Sequence, residues 1–386
     1  MDSSAQLSRA HGAPALTGPA PTGPALTGVL SAASAANAQS PRDGRIDAAR
    51  AMAIVLVVLG HAKGIPGWFT VLAYSFHVPL FFVLSGWLAR RRAAEASPRA
   101  IPAIVARQAR VLLVPYVVFF FVAYAYWLLT RNIGEKALRW GQQPWWEPLT
   151  GLATGIGPQL YVHPALWFLP ALFVTAVAFL LLRRLLPAGA LALLSLAIAS
   201  EWVAWFPAMD LRLPFALDLL PVTLFFYACG AAAAGVLTLP RSGWTGSAMA
   251  GALLLPWLWL AWSNGRVDIN QLLFGAAVWK FFTAALLGTA IVLLLSPLLQ
   301  HSKTAQWIGR NTLLILCAHI PILFVTSGIA SVGGVFAEGR EPDARWAIAV
   351  SALAIALCVP LRAVLVRYAP WAIGIATSTP AMARAQ

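Results

Sequence analysis

The sequence predicts an all-α integral membrane protein with about ten transmembrane helices and both termini in the cytoplasm (N-in, C-in). Three observations predict it: a composition too apolar for a soluble chain, ten apolar runs of membrane-spanning length, and basic residues gathered at alternate ends of those runs. Of the 386 residues, 60% are hydrophobic and only 10% charged, and the mean hydropathy is +0.75; a soluble domain carries roughly 25% charged residues. Residues 1–41 hold the near-repeat "PALTGPAPTGPALTG" followed by "SAASAANAQS", a Pro/Gly/Ala/Ser composition with too little apolar surface to order itself. No compact apolar run stands behind a basic start there, which argues against a signal peptide. The expected layout is a disordered tail over 1–41, a membrane domain over 42–370 and a short tail over 371–386.

Runs of roughly twenty apolar residues, enough for a hydrocarbon core of ~30 Å, lie near 48–64, 69–89, 111–130, 164–182, 188–206, 215–238, 244–262, 271–298, 311–330 and 346–366. With the N-terminus inside, the cytoplasmic ends hold Arg42, Arg45, Arg50, Arg90, Arg91, Arg92, Arg99, Arg107, Arg110, Arg183, Arg184, Arg241, Lys303, Arg310, Arg362 and Arg367. The basic residues of the opposite loops are nearly balanced by acids such as Glu135, Glu147, Asp210, Asp268, Glu338 and Asp343. The positive-inside rule therefore sets the orientation. The net charge of +14 is topological and implies no nucleic-acid partner. Cys229, Cys317 and Cys358 sit within apolar runs without ligand spacing, so neither a disulfide framework nor a metal site is expected.

The first run, "RIDAARAMAIVLVVLGHA" (Arg45–Ala62), carries ionisable groups at both ends. Arg50 and His61 are eleven residues apart, three helical turns plus ~20°, so they share one face about 16 Å apart along the axis. Asp47, one turn before Arg50, is placed for an i, i+3 pair. Arginines at a helix end also serve as snorkelling anchors, whereas an intramembrane histidine on the same line marks a path through the bundle. Other polar groups in the runs are His77, His319, Glu201, Asp218 and Lys280. A neutralising pair, Glu201 with Lys280, is the expected use of the last group. Ser85 and Gly86 read as small packing residues. Trp140, Trp145, Trp146 and Trp167 frame the long outer loop, where interfacial enrichment is routine and stacking on a sugar face is the functional alternative.

Five ordered motifs carry a resemblance: "RIDAARAMAIVLVVLGHA", "FHVPLFFVLSGWL" (Phe76–Leu88), "RQARVLLVPY" (Arg107–Tyr116), "LWFLPALF" (Leu166–Phe173) and "IGRNTLLILCAHIPIL" (Ile308–Leu323). Together they resemble the acyltransferase-3 family of integral-membrane O-acyltransferases, especially its fucose 4-O-acetylase-like branch. The resemblance implies a transferase that moves an acetyl or other short acyl group, succinyl included, from cytoplasmic acyl-CoA to a hydroxyl of a carbohydrate or glycolipid, in a bacterial-type inner membrane. It implies His61 as the catalytic residue with Arg50 and Asp47 beside it. Arg107 and Arg110, with Arg50, would bind the donor acetyl-CoA, since guanidinium forks suit phosphates. His77, His319 and Trp167 are the candidates for acceptor contact, and no metal is implied. His61 can act as a general base or as a nucleophile that carries the acyl group. Membrane lipid is the remaining partner. A multi-pass transporter or flippase using Arg50, His61, Glu201 and Lys280 as a substrate and proton path is the rival reading; no internal repeat supports it.

Overall fold

The computed structural model describes residues 43–93, 100–336 and 341–375. The predicted tail at 1–41, Arg42, Arg99, Glu338 and the segment 376–386 lie outside the described residues. The described residues form fourteen α-helices in chain order: α1 Gly44–His61, α2 Gly67–Tyr74, α3 His77–Ala93, α4 Ile101–Thr130, α5 Glu135–Trp140, α6 Glu147–Thr154, α7 Phe168–Leu182, α8 Ala188–Trp205, α9 Leu220–Ala233, α10 Gly243–Asn264, α11 Val278–Leu295, α12 Lys303–Arg310, α13 Thr312–Val332 and α14 Ala344–Tyr368. Among the described residues there is no strand, only the isolated bridge Asp268–Leu273.

Every apolar run read from the sequence falls on one or two of these helices. Among the described residues, seven helical segments are long and apolar enough to cross a membrane: Gly67–Arg90, Ile101–Thr130, Ala188–Met209, Pro214–Ala233, Val278–Leu299, Thr312–Val332 and Ala344–Tyr368. The protein is thus an all-α multi-pass membrane protein. α1 is more polar because it carries Arg45, Asp47 and Arg50, and α7 has only 15 residues. The run predicted over 271–298 starts seven residues too early, because residues 265–277 form a tight turn before α11. That turn needs positive φ at Gly265 (77°), Leu272 (57°) and Gly275 (85°), values incompatible with a continuing helix.

Helix starts are made by local chemistry. Asp43 caps α1 by accepting from Arg45 N (3.0 Å) and pairs with the Arg45 guanidinium (2.8 Å). The same guanidinium donates to Leu239 O (2.6 Å), tying the start of α1 to the segment after α9. Ser302 and Asp343 cap α12 and α14 in the same way, satisfying amides that have no partner within the helix.

α1 is the axis of the bundle, packed by α3, α11, α12, α13 and α14. Close approach at its sides uses glycine: a Cβ on Gly309 of α12 would fall 1.9 Å from Asp47 O. The α3–α9 crossing is reciprocal, since a Cβ on Gly86 would meet Tyr227 O at 1.8 Å and one on Gly230 would meet Val83 O at 1.9 Å. Such backbone contact is how helices associate where no hydrophobic effect separates protein from lipid.

Gly86→Ala is therefore expected to destabilise the bundle by about 1–3 kcal/mol, lowering the melting temperature of the detergent-purified protein by several degrees. Gly251→Ala in α10, where an added Cβ meets nothing within 4 Å, should leave it unchanged or raise it slightly in the same thermal-shift measurement.

Candidate functional site

A cavity of about 390 Å³ runs alongside α1. From α1 it is lined by Arg50, Ile54, Val57 and His61, an i, i+4, i+7, i+11 series that is one helical face. From α3 it takes His77, Val78, Phe81 and Ser85, again one face, and from α4 Val111 and Leu112. Trp167 and Phe168 at the start of α7, Thr312 and Leu316 of α13, and the turn Asp268–Gln271 complete the wall. Arg50 and His61 are thus brought to one space. Ser85 joins them there, although small-residue packing is the expected role for it.

Arg50 and His61 mark two ends of this space, about 16 Å apart by helical rise. Thr312 belongs to the Arg50 end, because Arg310 two residues earlier pairs with Asp47 (3.0 Å), one turn before Arg50. Tyr74 belongs to the His61 end, where its hydroxyl donates to Gly60 O (3.1 Å) and its ring stands 4.7 Å from that of His77.

Four histidines gather at the His61 end. The rings of His61 and His319 are 5.3 Å apart, and those of His163 and His319 6.4 Å apart. Three of the four have one ring nitrogen against a backbone carbonyl: His77 Nδ1 with Ala73 O (2.7 Å), His319 Nδ1 with Ile315 O and Leu316 O (2.9 and 2.8 Å), and His163 Nε2 with Cys317 O (2.8 Å). A carbonyl only accepts, so the facing nitrogen carries the proton in each, and in the neutral ring the other is left as an acceptor. Burial holds His163 down at about 4, so its imidazole is neutral at physiological pH. His61 differs from these three. Half-buried at the end of α1 and lining the cavity, it makes no hydrogen bond among the described residues. Its ring is the one in the cluster available to a ligand at both nitrogens.

His163 carries no periodic signal, since it lies in the loop before α7. Its reason is proline chemistry in α13. Pro321 has no N–H, so the carbonyl four residues earlier, Cys317, loses its helical partner. His163 supplies the missing donor, and Cys317 and His163 are both fully buried.

The other predicted residues divide between wall and periphery. His77 and Trp167 line the cavity, while His319 is fully buried behind His61. Asp47 directs its carboxylate across to Arg310 of α12. Arg107 and Arg110 are exposed at the start of α4 and do not line the cavity, but Val111 and Leu112, next along the helix, do. The expected Glu201–Lys280 pair does not form. Glu201 lies on the exposed face of α8, whereas Lys280 donates to Ser263 O (3.3 Å) and stands near the rings of Trp259 and Trp279. Asp218 pairs with Arg212 (2.5 Å) instead. Trp145 and Trp146 are exposed, as belt residues would be, and Trp140 stacks on Tyr161 (4.4 Å).

His163→Ala should expose the loss of a buried hydrogen bond, about 1–3 kcal/mol of stability, with His163→Gln losing less because its amide can still donate. Pro321→Ala restores the N–H for Cys317 O, so the double variant Pro321→Ala/His163→Ala should be more stable than the sum of the single effects. Thermal melts of the four proteins check this, and strict additivity would contradict it.

A family model described as an acyltransferase domain, that of the acyltransferase-3 family, matches residues 43–363. No curated protein and no solved structure matches the chain. The match spans every helix that lines the cavity and α14 up to residue 363, and the chain therefore belongs to the acyltransferase-3 family and is a multi-pass membrane acyltransferase.

Proposed function

We propose that the protein is an O-acyltransferase of the fucose 4-O-acetylase-like branch, which moves an acetyl or other short acyl group from cytoplasmic acyl-CoA to a hydroxyl of a carbohydrate or glycolipid acceptor. The observation that carries the reading is the uncommitted imidazole of His61 in one cavity with Arg50. A bacterial-type inner membrane is the setting this chemistry calls for, with donor made on one side and acceptor reached from within or beyond the bilayer.

The reaction needs three things from the chain: a hold on the donor, a group to take the acceptor proton, and exclusion of water. Arg107 and Arg110, one turn apart on the exposed start of α4, suit the phosphates of CoA outside the cavity. Val111 and Leu112, next along α4, line the same cavity as Arg50. The apolar stretch between Arg50 and His61, formed by Ile54, Val57, Phe81 and Leu316, suits the uncharged arm of the thioester.

At His61 the acceptor hydroxyl loses its proton to the imidazole as its oxygen attacks the thioester carbonyl. The carbon–sulfur bond breaks, and the proton returns from the imidazolium to the leaving thiolate, so the products are ester and thiol. In the covalent variant, a ring nitrogen of His61 attacks the thioester carbonyl and expels the thiolate; the hydroxyl then attacks the acyl-imidazole, the carbon–nitrogen bond breaks, and the hydroxyl proton ends on the thiolate, giving the same ester and thiol. The three neighbouring histidines suit either route in the same way: each has one ring nitrogen held against a backbone carbonyl, which fixes its tautomer beside His61.

His61→Ala is expected to lower transfer from labelled acetyl-CoA by about 10²–10⁴-fold with an unchanged gel-filtration profile. Arg107→Ala and Arg110→Ala should raise the KM for acetyl-CoA and leave kcat nearly constant. Undiminished turnover in His61→Ala would sink the assignment.

A further inference from the structure

Part of the cavity wall lies outside the long helices. Asp268, Ile269, Asn270 and Gln271 line the cavity consecutively, in a turn between α10 and α11. The turn is closed by paired backbone bonds, Asp268 N to Leu273 O (2.8 Å) and Leu273 N to Asp268 O (3.0 Å). It is stapled at its base by Asn264, whose Nδ2 donates to Phe274 O (3.0 Å) and whose Oδ1 accepts from Ala277 N (3.1 Å). Val267, Ile269, Leu272 and Phe274 are all buried. Apolar residues thus anchor the turn, and the polar residues between them, Asp268 and Asn270, are held in fixed positions at the cavity.

The turn lies at the His61 end. It follows directly on the part of α10 where Leu260 and Ala261 pack with Leu72, two residues before Tyr74, which bonds the carbonyl of Gly60.

Asn270 is only 8% exposed, and its amide has no hydrogen-bond partner among the described residues. Room for it is made by Gly157, where a Cβ would lie 1.5 Å from Asn270 Oδ1. A buried amide without a partner is costly, and an apolar residue would fill the same place without that cost. The carboxylate of Asp268 has one ion-pair neighbour, Arg266 at 3.8 Å, too long for a good hydrogen bond. Burial holds this carboxyl above its usual range although the backbone N–H groups of Gln271 and Asn270 donate to it, and its remaining lone pairs can accept from a ligand. A carboxylate that accepts and an amide that both donates and accepts match the two faces of neighbouring hydroxyls.

We propose that the Asp268–Gln271 turn is the acceptor-recognition element of this enzyme, in which Asp268 and Asn270 hydrogen-bond hydroxyls of a polyhydroxylated acceptor and so present one further hydroxyl to His61. The inference rests on the acyl-transfer reading of the same cavity. Asp268 and Asn270 are specificity residues in it, and His61 keeps the chemistry.

The test uses the full chain in phosphatidylcholine vesicles, whose headgroups offer no hydroxyl, with acetyl-labelled acetyl-CoA as donor. Two acceptor probes share one tail: octyl β-D-glucopyranoside, a polyol, and 1-octanol, a single hydroxyl. Wild type should favour the glycoside, and the glycoside-to-octanol ratio of kcat/KM should fall at least about tenfold in Asn270→Leu and in the isosteric Asp268→Asn. An unchanged ratio in both variants, or a wild-type preference for octanol, overturns the inference. Acetyl-CoA consumption that depends on His61 but yields no acetylated glycoside overturns it as well and leaves the donor chemistry standing. No His61-dependent consumption at all would instead overturn the acyl-transfer reading.

Discussion

The carbonyl of Cys317 is the constraint on which the site depends. Pro321 deprives it of its helical amide, and inside a bundle such a group must find another donor. His163 provides it from a loop over 150 positions earlier in the chain, at 2.8 Å. That one bond fixes the loop before α7 against α13, sets the tautomer of His163, and seats it beside His319, which in turn backs His61. Because His77 and His319 also hold one ring nitrogen against carbonyls, a cluster of four titratable rings resolves into three with a fixed tautomer and one, His61, with neither nitrogen engaged among the described residues.

The same economy holds for α1. A helix with Arg45, Asp47 and Arg50 in its first two turns is a poor candidate to face lipid, and it does not: α3, α11, α12, α13 and α14 surround it. Its charges are answered by neighbours, Asp47 by Arg310 and Arg45 by Asp43 and the Leu239 carbonyl. Gly309 brings α12 close enough for the first of these. What α1 presents to the cavity is then a single stripe, polar at each end and apolar between.

How far the sequence could be read follows from where the information sits. The helices were legible because membrane-spanning apolar runs are long and local, and the lane from Arg50 to His61 was legible because eleven residues close three turns. His163 was not, since its role depends on a proline in another helix; a free carbonyl at Cys317 can be deduced from Pro321, but not which residue satisfies it. The turn at 268–271 was hidden by its own anchors, because Val267, Ile269, Leu272 and Phe274 make it read as the start of an apolar run. Local spacing sets Asp47 beside Arg50, but nothing nearby in the chain points to the ion pair that Asp47 makes with Arg310. Glu201 and Lys280 were matched by charge alone, and charge carries no information on which helix faces lie together.

Among the clustered imidazoles, His61 lines the cavity with neither ring nitrogen held by a hydrogen bond among the described residues. Diethyl pyrocarbonate acylates unprotonated, accessible imidazole nitrogens, and peptide mass spectrometry locates each product. His61 should be modified at a rate approaching that of the exposed His301, acetyl-CoA should protect it, and the fully buried His163 and His319 should react far more slowly. Modification of His163 or His319 ahead of His61, or a His61 rate indifferent to acetyl-CoA, would contradict this.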